Sequence, residues 1–291
     1  MTLDRFKACC LAAAMSVFSV FSVFSVLICE TARASMGPEL SREISGYRIV
    51  LRDFNWKGED GVIFQVYKGP TKILERRAHS IFLFDVDKQG ESYAVKDNAS
   101  IKCADLTGDG AVDLIVQEWN GGAYGCYKYD IYSLAKNFKH IWHHDAVYGH
   151  LRLEFPAQRS AQLIVEDSTF CNFKSVGQGS GAKPSIYLTW RKGFAVERAA
   201  TIAAAKTAAG LDLDVESDSD IESTEGSRRF VDLIYSGQTS KALALLDGLK
   251  AEQKHDYLCS FFATFKKSPF YFEIIAFNER EVIAKMQKLA Q

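Results

Sequence analysis

Asp105, Thr107, Asp109 and Asp113 stand at positions 1, 3, 5 and 9 of the stretch Asp-Leu-Thr-Gly-Asp-Gly-Ala-Val-Asp, so side-chain oxygens recur at alternate residues. A hard cation such as Ca²⁺ takes six to eight oxygen ligands, and a chain that wraps an ion aims alternate residues at one centre. Gly110, at position 6, sits where such a chain must turn sharply, and Ala111, at position 7, can offer its backbone carbonyl. An EF-hand would need a bidentate Glu at position 12. That residue is Val116, inside an apolar run, so the loop leads directly into a strand. Thr107 leaves one neutral ligand among the carboxylates, which suits an affinity of about 10⁻⁴ to 10⁻³ M. Several millimolar calcium would then stabilise the fold by about 1–2.5 kcal/mol. The competing account is an Asp-Gly turn whose carboxylates cap backbone amides.

Asp105 to Val116, with the following Gln117-Glu118-Trp119-Asn120-Gly121-Gly122, resembles the calcium loop and strand of FG-GAP/VCBS-type repeats. Those repeats form the blades of integrin-α-like β-propellers and occur in many exported bacterial proteins. The resemblance implies that Asp105, Thr107, Asp109, Ala111 (through its carbonyl) and Asp113 ligate Ca²⁺. It also implies a structural or adhesive role rather than catalysis. The Phe-Gly and Gly-Ala-Pro signatures of the family are absent, and the β-rich region is too short for seven blades.

A weaker echo accompanies the loop. Leu114-Ile115-Val116 and Leu163-Ile164-Val165 lie 49 residues apart, each followed by acidic residues, aromatic residues and a cysteine (Cys126; Cys171). Four-stranded propeller blades repeat at about this length. In the second copy Glu154, Pro156, Gln158 and Gln162 take the ligand positions, so only one carboxylate survives and no metal is expected there. The echo would set Cys126 and Cys171 at the same end of neighbouring strands, favouring a Cys126–Cys171 disulfide. Chance similarity between valine-rich strands is the plainer account of the repeat, and reduced, buried cysteines that of the thiols.

Other constellations carry less chemistry. His140, His143, His144 and His150 cluster beside Asp145 and could hold Zn²⁺ or Cu²⁺. On a regular strand, however, His140 and His144 would share one face and His143 the other, which favours ordinary strand histidines. Ser180-Gly-Ala-Lys183 matches the Ser-x-x-Lys of penicillin-binding enzymes, but lies in a Gly-rich loop without its companion motifs, and Ser133-Leu-Ala-Lys136 matches equally well. Gly-x-Ser-x-Gly, His-Glu-x-x-His and a Walker loop are absent.

The elements that must position the loop are mainly β. From Tyr47 to Glu197, short β-branched and aromatic runs such as Val62–Tyr67 and Ile81–Phe84 alternate with turn residues. The expected body, residues 35–197, is a partial β-propeller-like arrangement or stacked antiparallel sheets. Leu114–Val116 and Leu163–Val165 are its central strands. Residues 198–226 read as an Ala-rich stretch, helix or linker, and then an acidic linker. Residues 227–291 form a small helical domain. There Phe230, Leu233 and Ile234 share a face capped by Gly237, and Tyr257, Leu258, Phe261, Phe262 and Phe265 make an aromatic stripe stopped by Pro269.

The amino end fixes the compartment. Arg5 and Lys7 precede an uncharged run from Ala8 to Cys29, and Ala32-Arg33-Ala34 fits a signal-peptidase site. Residues 1–34 are therefore expected to be a signal peptide and the body periplasmic or secreted, with an uncleaved membrane anchor as the alternative. Ile28 before Cys29 argues against lipidation. Cleavage makes the formal charge of −1 more negative by one unit, and no basic block remains, which argues against nucleic acid as a partner. Four of the seven cysteines stay in the body, in an oxidising compartment. The expectation is a calcium-stabilised binding or structural protein of the cell envelope, without a catalytic motif, whose partner is a protein or envelope component. The alternatives are an envelope hydrolase with a site assembled from distant residues, and a docking module for an envelope complex.

Overall fold

The computed structural model describes residues 35–56, 59–84, 92–93, 103–119, 127–155, 161–175, 177, 179–210 and 221–291. The expected export signal (residues 1–34), the acidic stretch 211–220 and Cys126 lie outside them. The first sheet is an antiparallel meander of β1 (Ser35–Ile44), β2 (Tyr47–Trp56), β3 (Glu59–Lys68) and β4 (Thr71–Ala78). The second comprises β5 (Ser80–Phe84), β6 (Ser92–Tyr93), β7 (Asp113–Trp119), β8 (Tyr127–Ser133) and β9 (Lys139–Ala146), in the order β6-β5-β7-β8-β9. The third runs in sequence through β10 (Leu151–Glu154), β11 (Gln162–Glu166), β12 (Ser185–Trp190) and β13 (Phe194–Val196).

The sheets stack, and the second lies in the middle. Side chains alternate along a strand, so one strand can serve two cores. Leu114 and Val116 of β7, with Tyr132 of β8, pack against Tyr47, Leu51, Phe64 and Val66 of the first sheet. Ile115, Tyr129 and Ile131 point the other way, into a core shared with Leu163, Val165 and Ile186 of the third sheet. This double burial is why β7 reads as an unbroken apolar run. The expected stacked-sheet body, with Leu114–Val116 at its centre, is what forms.

The helical part comprises α1 (Arg198–Ala208), α2 (Thr224–Tyr235), α3 (Thr239–Ala244), α4 (Ala251–Phe265), α5 (Tyr271–Ile275) and α6 (Arg280–Leu289). The Ala-rich stretch is therefore helical. Helix α2 starts before the expected boundary because Ser223 caps it, its hydroxyl accepting the Gly226 amide at 3.0 Å. The aromatic stripe of α4 is core. Phe261 stacks on Phe170, from the turn after β11, at 5.2 Å and meets Phe230 edge-on at 5.0 Å. Each such ring contributes about 1.5–3 kcal/mol by burial. Sheet and helices thus share one core rather than two. Asp167 fastens the join: it is 1% exposed and accepts the Tyr235 hydroxyl at 2.5 Å and the Ser268 hydroxyl.

Two expectations need correction. Strands β7 and β11 belong to different sheets, so the 49-residue echo does not make them neighbours as expected, while Cys126 of the expected Cys126–Cys171 pair lies outside the described residues. Strand β9 carries a bulge. His140 pairs with Tyr132 and Trp142 with Ile131, which leaves Ile141 as an extra residue and inverts the alternation around it. His140 therefore shares a face with His143, not with His144.

Candidate functional site

The acidic loop runs into β7 and is tied to it at both ends. Asp113 donates its amide to the Ala104 carbonyl at 2.8 Å, and Leu106, fully buried, anchors the loop in the core. Asp105 organises the turn: Oδ1 accepts the amides of Gly108 at 2.7 Å and Asp109 at 3.2 Å, and Oδ2 that of Gly110 at 2.7 Å. The Thr107 hydroxyl also donates to Asp105, at 3.3 Å. Gly110 has φ +84°, a left-handed conformation that L side chains resist, which explains glycine at position 6. Exposed Asp109 gives one oxygen to the Ala111 amide at 2.8 Å.

Asp113 is the buried member, 1% exposed. Its Oδ2 accepts the Leu106 amide at 2.8 Å and the Thr107 amide at 3.2 Å, while Oδ1 is buried with no hydrogen-bond partner. Burial pushes its carboxyl up from the ordinary range, opposed by the two amides. Ser133, its cross-strand partner, pulls the same way as the amides, yet the two side chains do not meet hydrogen-bond geometry, and the Ser133 hydroxyl is itself unpaired. The sequence-predicted residues are thus brought onto one loop. Their carboxylates mostly cap amides, and among the described residues no three His, Cys, Asp or Glu side chains converge as a metal cluster. Asp113 is the one carboxylate of the loop with an oxygen that is buried and unpaired, where a buried polar atom ordinarily has a partner. Gln162 begins β11 as Asp113 begins β7, so the uncharged copy occupies the equivalent place.

The histidines are drawn into a different centre. Asp130, in the middle of β8, accepts His140 Nε2 at 2.7 Å and His143 Nδ1 at 3.0 Å on one oxygen, and Arg76 of β4 on the other. Arg76 also reaches Glu118 at 2.7 Å. Burial pushes the Asp130 carboxyl up, but Arg76 and then His143 outweigh it and hold it below the usual carboxylate range. His144 lies on the opposite face, 7% exposed and stacked on Trp142 at 5.5 Å. Sequence reasoning missed Asp130; the signal was a charge in the middle of the aromatic strand Tyr-Lys-Tyr-Asp-Ile-Tyr, a place that demands a partner.

Ser180 and Lys183 turn to different partners. The Ser180 hydroxyl donates to the Gly177 carbonyl at 2.6 Å and the Lys183 ammonium to the Tyr148 carbonyl at 3.3 Å. Cys171 is a free, buried thiol whose burial pushes its pKa up. Cys259 lies 3.5 Å from His255 Nε2, but its thiol donates to the Ala290 carbonyl at 2.9 Å, so its one proton is directed away from the imidazole. Among the described residues no helix is long and apolar enough to cross a membrane.

No known protein family, no curated protein and no solved structure matches the chain.

Proposed function

We propose that the protein is an exported binding or structural component of the cell envelope, stabilised by Ca²⁺ at the loop 105–113. The reading is carried by Asp113, a carboxylate at the head of the central strand with one oxygen holding two loop amides and the other buried without a partner. Asp105, Thr107, Asp109, Asp113 and the Ala111 carbonyl would hold the ion. Its charge would offset the cost of burying the Asp113 oxygen. A cation there joins the turn to β7, which contributes to both cores, so its effect should be on stability. No step of chemistry is assigned to the loop, and the partner is a protein or another envelope component.

Thermal melts in excess chelator, in several millimolar Ca²⁺ and in Mg²⁺ test this. We expect Ca²⁺ alone to raise the wild-type Tm by several degrees and Asp109→Ala to remove the rise. Identical wild-type melts in chelator and Ca²⁺ would reduce the loop to an amide-capped turn.

A further inference from the structure

A cavity of about 310 Å³ opens between α1, α2 and the segment from Gly179 to Ser185. Small-molecule sites start at about this size, 300–1,000 Å³. The hollow follows from small side chains. Helix α1 presents Ala204, Ala205 and Ala208 to it, and the facing segment contributes glycines and Ala182. That segment is pinned in place. The Gly181 amide donates to the Cys171 carbonyl at 2.7 Å, and a side chain at Gly181 would collide with the Phe170 carbonyl, 2.2 Å from its Cβ.

Two charged residues of α2, one turn apart, line the cavity. Arg228 is committed: it donates to the Ser180 carbonyl and lies 3.7 Å from Glu225. Asp232 is not. It is 9% exposed, and among the described residues its carboxylate has neither a hydrogen bond nor an ion pair. Lys183, the cation of the facing segment, is spent on the Tyr148 carbonyl and ring. Burial of most of the residue with no ion pair of its own raises the cost of the carboxylate's charge, and packing alone would be served as well by Asn. The charged groups around it are Glu225 and Arg228 on its own helix and Lys183 opposite, while α1 contributes only alanines.

We propose that this cavity is a binding site for a small amine of about amino-acid size, whose primary ammonium group donates to the Asp232 carboxylate. Arg228 is shared between the Ser180 carbonyl and Glu225, so Asp232 has no ion pair of its own. Lys183, the cation of the facing segment, is turned to Tyr148, which favours an ammonium over a carboxylate as the group recognised. The site involves none of the residues of the acidic loop and stands apart from the calcium reading.

Amide correlation spectra of the protein at pH 8, titrated in parallel with methylammonium, glycine and acetate, test the proposal. Methylammonium and glycine should give saturable shifts at Ala204–Ala208 and Arg228–Asp232, and acetate none. Asp232→Asn should weaken binding at least tenfold. Ala208→Phe, an exposed change at the mouth of the cavity, should also block binding while leaving the spectrum elsewhere intact. Saturation by acetate but not methylammonium, binding unaltered in both variants, or no saturable shift with either amine would each overturn it.

Discussion

Arg76 and Asp130 meet across the gap between the first and second sheets, 54 residues apart in sequence. The Asp130 side chain is 5% exposed and the Arg76 side chain 26%, so the pair is largely removed from water. Removing one partner of such a pair leaves a buried charge uncompensated. Arg76→Met should therefore cost about 3 kcal/mol, somewhat reduced because His140 and His143 still face Asp130. The double variant Arg76→Met, Asp130→Leu should cost less than the sum of the single changes. Urea unfolding of the four proteins measures the coupling; additive losses would mean that the two residues act independently.

Stability should depend on pH through two carboxyls shifted in opposite directions. Asp130 is depressed, so its contribution is present above the ordinary carboxylate range and is lost as pH falls through its lowered value. Asp232 is pushed up to about 7 by burial and then by Glu225, with Arg228 opposing. The folded state then holds a proton that the unfolded chain has released, and stability falls as pH rises from about 4 to about 7. Asp232→Asn should remove that fall and be more stable than wild type at pH 8, by on the order of 3 kcal/mol. Parallel unfolding curves at pH 5 and pH 8 decide it: an equal wild-type–variant difference at both would refute the assignment.

Tyr235→Phe removes one hydroxyl donor from Asp167 and leaves Ser268 and the Thr169 amide. A buried acceptor losing a donor costs about 1–3 kcal/mol. Hydrogen exchange should show amides of α2 and of β11 losing protection together, because Asp167 joins them. Loss confined to the helix would count against that coupling.

Gly110→Ala meets no atom within 4 Å, so its cost is purely that of the backbone at φ +84°. We expect a loss of about 1–2 kcal/mol in the presence of chelator. If the loop takes up Ca²⁺, the gap from wild type should widen when the ion is added. A gap of the same size in both conditions would mean that the turn's shape does not govern the ion.

The sequence made some features plain because local chemistry decides them. Leu114-Ile115-Val116 has no polar residue to turn outward, so it had to be covered on both faces. The spacing of Tyr257, Phe261 and Phe265 left a helix as the natural way to bury three rings on one side. Asp105 to Asp113, with glycine at the sharp turn, specified a loop entering a strand. Other features depend on partners far along the chain. The bulge at Ile141 appears only when β9 is paired with β8, and it alone brings His140 and His143 to one carboxylate. Asp232 reads as one polar residue within Phe-Val-Asp-Leu-Ile-Tyr; that it borders a cavity depends on α1 and a loop some fifty residues upstream.

The order of strands has a consequence for assembly. Every sheet is made from one contiguous piece of chain, and departs from simple succession only where β6 lies outside β5. Closing such neighbours costs little loop entropy, so each sheet can form from its own segment without waiting for distant ones. A chain delivered amino end first could complete the first sheet while the rest was still to come. The second sheet would then find one half of its covering already in place. The helices, following the sheets, would close the apolar face that Leu163, Val165 and Ile186 share with them, and that step would be a docking rather than a search.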